Sequence, residues 1–106
     1  MNKKIINEIK IFSKERNWEK FHTGENLAKS ISIEAGELLE LFQWESEVKS
    51  IDNLKDELAD IFIYSIQLAE KYQLDIESII MNKMKKNKEK YPINKSYGSA
   101  KKYSEF

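Results

Sequence analysis

Apolar residues recur at helical spacing through most of the chain, and no segment alternates with the two-residue period of a strand. Ile5, Ile6, Ile9 and Phe12 share one face of a first helix expected over residues 3–16, with Asn2 as its cap. Residues 17–24 carry Trp18, Phe21 and His22 and read as an ordered loop. A second helix is expected over 25–44, a polar link over 45–53 and a third helix over 54–72. Gln73-Leu74-Asp75 makes a short turn, with Asp75 capping a fourth helix over 76–90. Tyr91-Pro92 stops that helix, because proline lacks an N–H and restricts the residue before it. Residues 93–106 read as an irregular tail. The expectation is an all-α four-helix bundle over 1–92, followed by the tail over 93–106. Three glycines and one proline in 106 residues agree with long helices and few turns.

Two acidic doublets break the apolar pattern where it is strongest. Glu34-x-x-Glu37 lies among Leu27, Ile31, Leu38 and Leu41, and Glu57-x-x-Asp60 among Leu54, Ile61 and Tyr64. Residues three and four apart share a helix face, so these carboxylates point where a core is expected. Carboxylates in such a place are costly unless their charge is compensated. A bound cation is the usual compensation, and oxygen ligands suit a hard metal such as Mg2+ or Mn2+. A helical bundle builds such sites from inward side chains on facing helices. A ferritin-like di-iron centre would need Glu-x-x-His pairs, and His22, the only histidine, is in none.

Composition narrows the field. Charged residues make up 34% and hydrophobic ones 41%, a globular balance. The formal net charge is zero, which argues against a dedicated nucleic-acid binder. The cations are nevertheless uneven: Lys83, Lys85, Lys86, Lys88 and Lys90 crowd together, and Arg16 is the sole arginine. Without cysteine there are neither disulfides nor thiolate metal sites. No signal peptide or membrane-length apolar run is present, so a cytoplasmic location without a membrane partner is expected.

The residues then match a known group. The chain resembles the MazG-like all-α nucleoside triphosphate pyrophosphohydrolases, most closely the dCTP pyrophosphatase branch. The resemblance runs from Glu15-Arg16-Asn17-Trp18-Glu19-Lys20-Phe21-His22 through Asn26-Leu27. It covers Glu34 to Trp44, with Phe42-Gln43-Trp44 after the first doublet, and Glu57 to Tyr64. It continues through Lys83-Met84, Asn87, Tyr91-Pro92 and Lys101-Lys102-Tyr103-Ser104-Glu105.

The resemblance implies an oligomeric fold of that type and Mg2+-dependent hydrolysis of a nucleotide. The substrate would be dCTP or a modified dCTP, split to the monophosphate and pyrophosphate. It assigns Glu34, Glu37, Glu57 and Asp60 to the metal. A first-doublet carboxylate, Glu37 or its neighbour Glu34, would act as general base toward water. Trp18, Trp44 and Tyr64 match a base-stacking pocket, with Trp44 seven residues beyond Glu37 on the same face. His22 and Asn26 match positions facing the base or sugar. Lys83, Asn87 and Tyr91, at i, i+4 and i+8, match a phosphate- and sugar-contacting run. Lys90 departs from the arginine usual before the Tyr-Pro, which removes bidentate phosphate contact there. Gly36 is expected either to permit close helix approach or simply to pack.

Other readings stand beside this one. A dUTPase-like or phosphoribosyl-ATP pyrophosphohydrolase activity belongs to the same chemistry. Outside it stand a helical dimerisation module and a nucleic-acid binder using the lysine-rich fourth helix. Ile5, Ile6, Ile9, Phe12, Leu68 and Tyr72 give more apolar stripe than one small bundle needs. This surplus predicts a homo-oligomer, and the resemblance, to relatives that assemble as dimers or as tetramers, implies a tetramer rather than a dimer. In it a neighbouring subunit would supply Trp18 or the tail with Lys101 and Lys102.

Overall fold

The computed structural model describes residues 2–100 and 104. Lys101, Lys102, Tyr103 and Glu105 lie outside the described residues, and so do their expected roles. The architecture is all-α, as expected. Residues up to Leu74 form one compact unit and those from Asp75 a second.

In the first unit α1 spans Lys3–Glu15, α2 spans Gly24–Glu40 and α3 spans Ile51–Lys71. Asn2 caps α1, its Oδ1 accepting from the Lys4 N–H at 2.8 Å. The helix ends in a Schellman motif. Asn17 takes a left-handed φ of 53°, its N–H reaches the Lys14 carbonyl and the Trp18 N–H reaches the Ser13 carbonyl. Trp18 is thereby fixed at the start of the connecting segment, where Glu19–Phe21 form a 3-10 turn. The end of α3 repeats the motif, with Gln73 at φ 55° and the Leu74 N–H on the Ala69 carbonyl.

Two boundaries differ from the sequence expectation. The second helix stops at Glu40, four residues before Trp44. The N–H groups of Leu41, Phe42 and Gln43 bond three residues back, to Leu38, Leu39 and Glu40. That tightening occupies the last carbonyls and unwinds the helix. The third helix begins at Ile51, three residues early, because Ser50 Oγ accepts from the Asn53 N–H and Asp52 sits in the first turn.

α3 is the central element, with α2 and α1 both packed on it. Leu27, Ile66 and Ala69 are the buried apolar side chains among the described residues. Gly24 opens α2 beneath Tyr72, whose hydroxyl would collide with any Cβ at that position. A Cβ at Gly36 would meet open space, so this glycine permits no close helix approach.

In the second unit α4 spans Ile76–Lys90. Asp75 caps it, accepting from the N–H of Ser78 at 3.2 Å and from its hydroxyl at 2.6 Å. Those two bonds hold the Asp75 carboxyl below its ordinary range. Pro92 then starts a short α5, Ile93–Ser96, where an irregular tail was expected. Its fixed φ suits a helix start, and the Lys95 and Ser96 N–H groups close onto its carbonyl. Among the described residues no helix is long and apolar enough to cross a membrane.

Candidate active site

The α2–α3 hairpin brings the two acidic doublets together. Carboxylate oxygens of Glu34, Glu37 and Glu57 all lie within 4.8 Å of one another. Glu34 and Glu57 are half-buried and Glu37 is exposed. Oε2 of Glu34 and Oε2 of Glu57 are buried without a hydrogen-bond partner. Asp60, one turn beyond Glu57, stands outside that group of three, yet its charge reaches Glu34, Glu57 and Tyr64.

The electrostatics follow from this crowding. Burial away from water, then the Glu37 and Glu57 carboxyls and the charge of Asp60, push Glu34 up to about 7. Glu57 also rises, first through burial and then through Glu37 and Asp60, against an opposing interaction with Glu34. The Tyr64 phenol rises through burial and the negative charges of Glu34, Asp60 and Glu37. The cluster is thus short of positive charge and holds two buried oxygens with nothing to bond. Its donor set fits a hard divalent cation.

Asp60 joins the cluster to a cavity of about 600 Å³ between α1, the segment after it and α3. Trp18, His22 and Tyr64 border the same cavity. Trp18 meets Phe12 edge to face, with ring centroids 5.7 Å apart. Arg16 lies 3.7 Å from the centroid of the Phe12 ring and donates to the Phe12 carbonyl. Within one chain Trp18, Asp60 and Tyr64 border the same cavity.

Two other sequence-predicted residues of the first unit, Trp44 and Asn26, do not line that cavity. Trp44 is 86% exposed and follows the end of α2, so it does not share the Glu37 helix face. It borders a separate cavity of about 230 Å³ with Leu41 and Val48. Asn26 donates its Nδ2 to the Phe21 carbonyl at 2.9 Å and so closes the loop before α2. Lys83 and Asn87 lie on α4, and the N–H of Tyr91 caps it by donating to the Asn87 carbonyl at 2.8 Å.

Sequence reasoning missed Arg16, Ser13 and Gln67 as neighbours of these cavities. Gln67 carried the same signal as the doublets, a polar residue in an apolar stripe. Ser13, alone and small among the isoleucines of α1, gave almost none.

Known proteins resemble this chain in sequence and in fold. Residues 29–106 match the MazG-like family. The chain is 39% identical over 103 residues to dCTP pyrophosphatase 1 of Mus musculus and 35% identical to that of Homo sapiens. Each alignment covers 89% of this chain, which spans 61% of each relative's length. A crystal structure of a pyrophosphatase from Archaeoglobus fulgidus superposes with a TM-score of 0.76 at 36% identity. That match covers 85% of this chain and 91% of the other.

Proposed function

Because the chain belongs to the MazG-like family, we propose that it hydrolyses a nucleoside triphosphate, dCTP or a modified dCTP, to the monophosphate and pyrophosphate. The observation that carries this reading is the convergence of the Glu34, Glu37 and Glu57 carboxylates, two with buried unpartnered oxygens. Asp60 links that cluster to the cavity that Trp18 and Tyr64 border. The relatives' activity toward dCTP points to the base.

Glu34, Glu37, Glu57 and Asp60 hold Mg2+, with Mn2+ as a substitute. Bound there, the cation supplies charge neutralisation for the phosphates and polarisation of the attacked phosphorus. Glu37 is the exposed member of the first doublet. With Glu34 beside it, Glu37 accepts a proton from the attacking water. One water is consumed, the α–β phosphoanhydride bond breaks, and the water oxygen ends on one of the two products. Trp18 and Tyr64 stack on the base, a contact of roughly 1–3 kcal/mol. His22 faces the base or sugar, and any contact from Asn26 runs through Oδ1, since its Nδ2 is engaged. By the resemblance Lys83, Asn87 and Tyr91 would serve phosphate and sugar and Trp44 the base, although within this chain Trp44 borders a separate cavity. These last four assignments rest on the family resemblance.

The direct test is pyrophosphate release from dCTP in Mg2+, its loss in EDTA and its return on adding Mg2+. Preference for dUTP would make the activity dUTPase-like. No release from any deoxynucleoside triphosphate with either metal would leave a helical dimerisation module.

The active form is a homo-oligomer, a tetramer rather than a dimer. Supporting this, Ile33, Leu39 and Phe62 are 61%, 71% and 58% exposed in the first unit, whose buried apolar residues are few. Light scattering of the active enzyme at micromolar concentration tests it, and an active monomer overturns it.

A further inference from the structure

Gln67 is a polar side chain that the chemistry above leaves unused, set beside the buried Ile66 on α3. Its Nε2 donates across to α1, to Ser13 Oγ at 3.0 Å. Ser13 is 4% exposed. Gln67 Oε1 is buried and has no partner. In the observed arrangement the amide engages Ser13 through its Nε2. The atom left over is an acceptor. Native proteins leave few buried acceptors unpaired, and each one that remains calls for a water, a ligand or a functional reason.

Position indicates what this one serves. Gln67 borders the same cavity as Asp60, Tyr64 and Trp18. Asp60, Tyr64 and Gln67 follow one face of α3 over seven residues, about 10 Å at the helical rise. With the triphosphate held through a cation at the Asp60 end, as proposed above, the aromatic rings would lie along the way. The far edge of the base then arrives at Gln67. On its other side Gln67 borders a second cavity, of about 610 Å³, which gives the side chain room to shift as the base seats.

We infer that Gln67 is a specificity-determining residue: its Oε1, left unpaired by Ser13, accepts a hydrogen bond from the 4-amino group of cytosine. This rests on the reading of the cavity as the nucleotide site. Cytosine presents a donor at that position and uracil an acceptor. A uracil would set two acceptors against each other at the buried Gln67 Oε1. Ser13, whose Oγ accepts from the Gln67 amino group, is the corresponding positioning residue.

The test is the ratio of kcat/KM for dCTP to that for dUTP in the full chain, with folding checked by circular dichroism. The wild type is expected to favour dCTP. Gln67→Leu, which removes the acceptor, should lower that ratio by roughly tenfold or more. Gln67→Glu keeps an acceptor and should keep the preference for dCTP. Ser13→Ala frees the amide to turn its NH2 toward the base, and the ratio should fall by a smaller factor. An unchanged ratio in folded Gln67→Leu overturns the inference, and so does a wild type with no preference. If Gln67→Leu does not fold, NMR of the wild type decides: the Gln67 side-chain amide should shift with dCMP and not with dUMP. Equal response to both, or to neither, overturns it. A wild type that releases pyrophosphate from no nucleotide takes down the cavity reading itself. A dCTP preference that survives Gln67→Leu takes down only the role of Gln67.

Discussion

The two ends of one face of α3 solve the same problem in different ways. At one end Glu57 meets Glu34 and Glu37, with the charge of Asp60 in reach, so like charges crowd together with buried unpartnered oxygens. At the other end Gln67 meets Ser13, and a neutral amide satisfies one of its atoms within the chain. Under the proposed function the acidic end would gain stability from a bound cation. The amide end is nearly self-sufficient, with a single acceptor left over. A polar residue in an apolar stripe is therefore not one kind of signal. Its net charge decides whether the missing partner is an ion or a neutral group.

The largest expected effect is at the acidic end. Glu34→Gln or Asp60→Asn should abolish turnover while far-UV circular dichroism stays helical. Glu37→Gln should reduce kcat by roughly 10²–10⁴-fold, the usual loss of a general base. Wild-type rates at saturating Mg2+ in either of the first two variants would break the contrast between the two ends.

Between the ends, Trp18→Ala and Tyr64→Ala should weaken substrate binding roughly ten- to a hundredfold, as a lost stacking contact does, with less effect on kcat. Substrate titration of tryptophan fluorescence checks Tyr64→Ala, and KM measured beside kcat checks both. An unchanged KM in both would put the base in another cavity.

Protonation sharpens the comparison further. The folded Glu34 carboxyl is raised to about 7 from an ordinary 4.5. The folded metal-free protein thus holds this proton more tightly than the unfolded chain does. Its contribution is fully present below about pH 4.5 and is lost as pH rises toward 7. In EDTA the melting temperature should therefore fall over that interval, and Glu34→Gln should flatten the fall. Mg2+ at about 100 times its Kd should add about 2.7 kcal/mol near neutrality. A metal-free stability that rises from pH 4.5 to 7 would show that Glu34 is not crowded by its neighbours.

The smallest effect concerns Gly36, between Glu34 and Glu37 on α2. Open space surrounds its missing Cβ. Gly36→Ala should stabilise the protein by up to about 1 kcal/mol through helix propensity and leave kcat unchanged. Loss of activity or stability in thermal melts would reveal something packed on the acidic end from outside this chain.

Much of this was legible in local pattern. Helical periodicity placed all four long helices, and Asn2 and Asp75 announced their caps by side-chain chemistry alone. The doublets were legible because i, i+3 spacing on an apolar stripe is a local fact. Chain ends were less so: Asn17 and Gln73 adopt left-handed conformations that glycine usually marks, so their turns carried no clear signal. The early stop of α2 was invisible too. It depends on how the last carbonyls are used, and it moves Trp44 off the face that a continuous helix would have given it.

By itself the sequence determined the helices, the pairing of acidic residues on their faces and the family to which they belong. Helical periodicity and side-chain chemistry act within a few residues, and they are written in order along the chain. Only the tertiary structure decided that Glu34, Glu37 and Glu57 converge and that Asp60, Tyr64 and Trp18 border one cavity. It alone turned Gln67 toward Ser13, 54 residues away. Those juxtapositions depend on the packing of α1 and α2 on α3, and no spacing along the chain encodes which side chain a packed helix will meet.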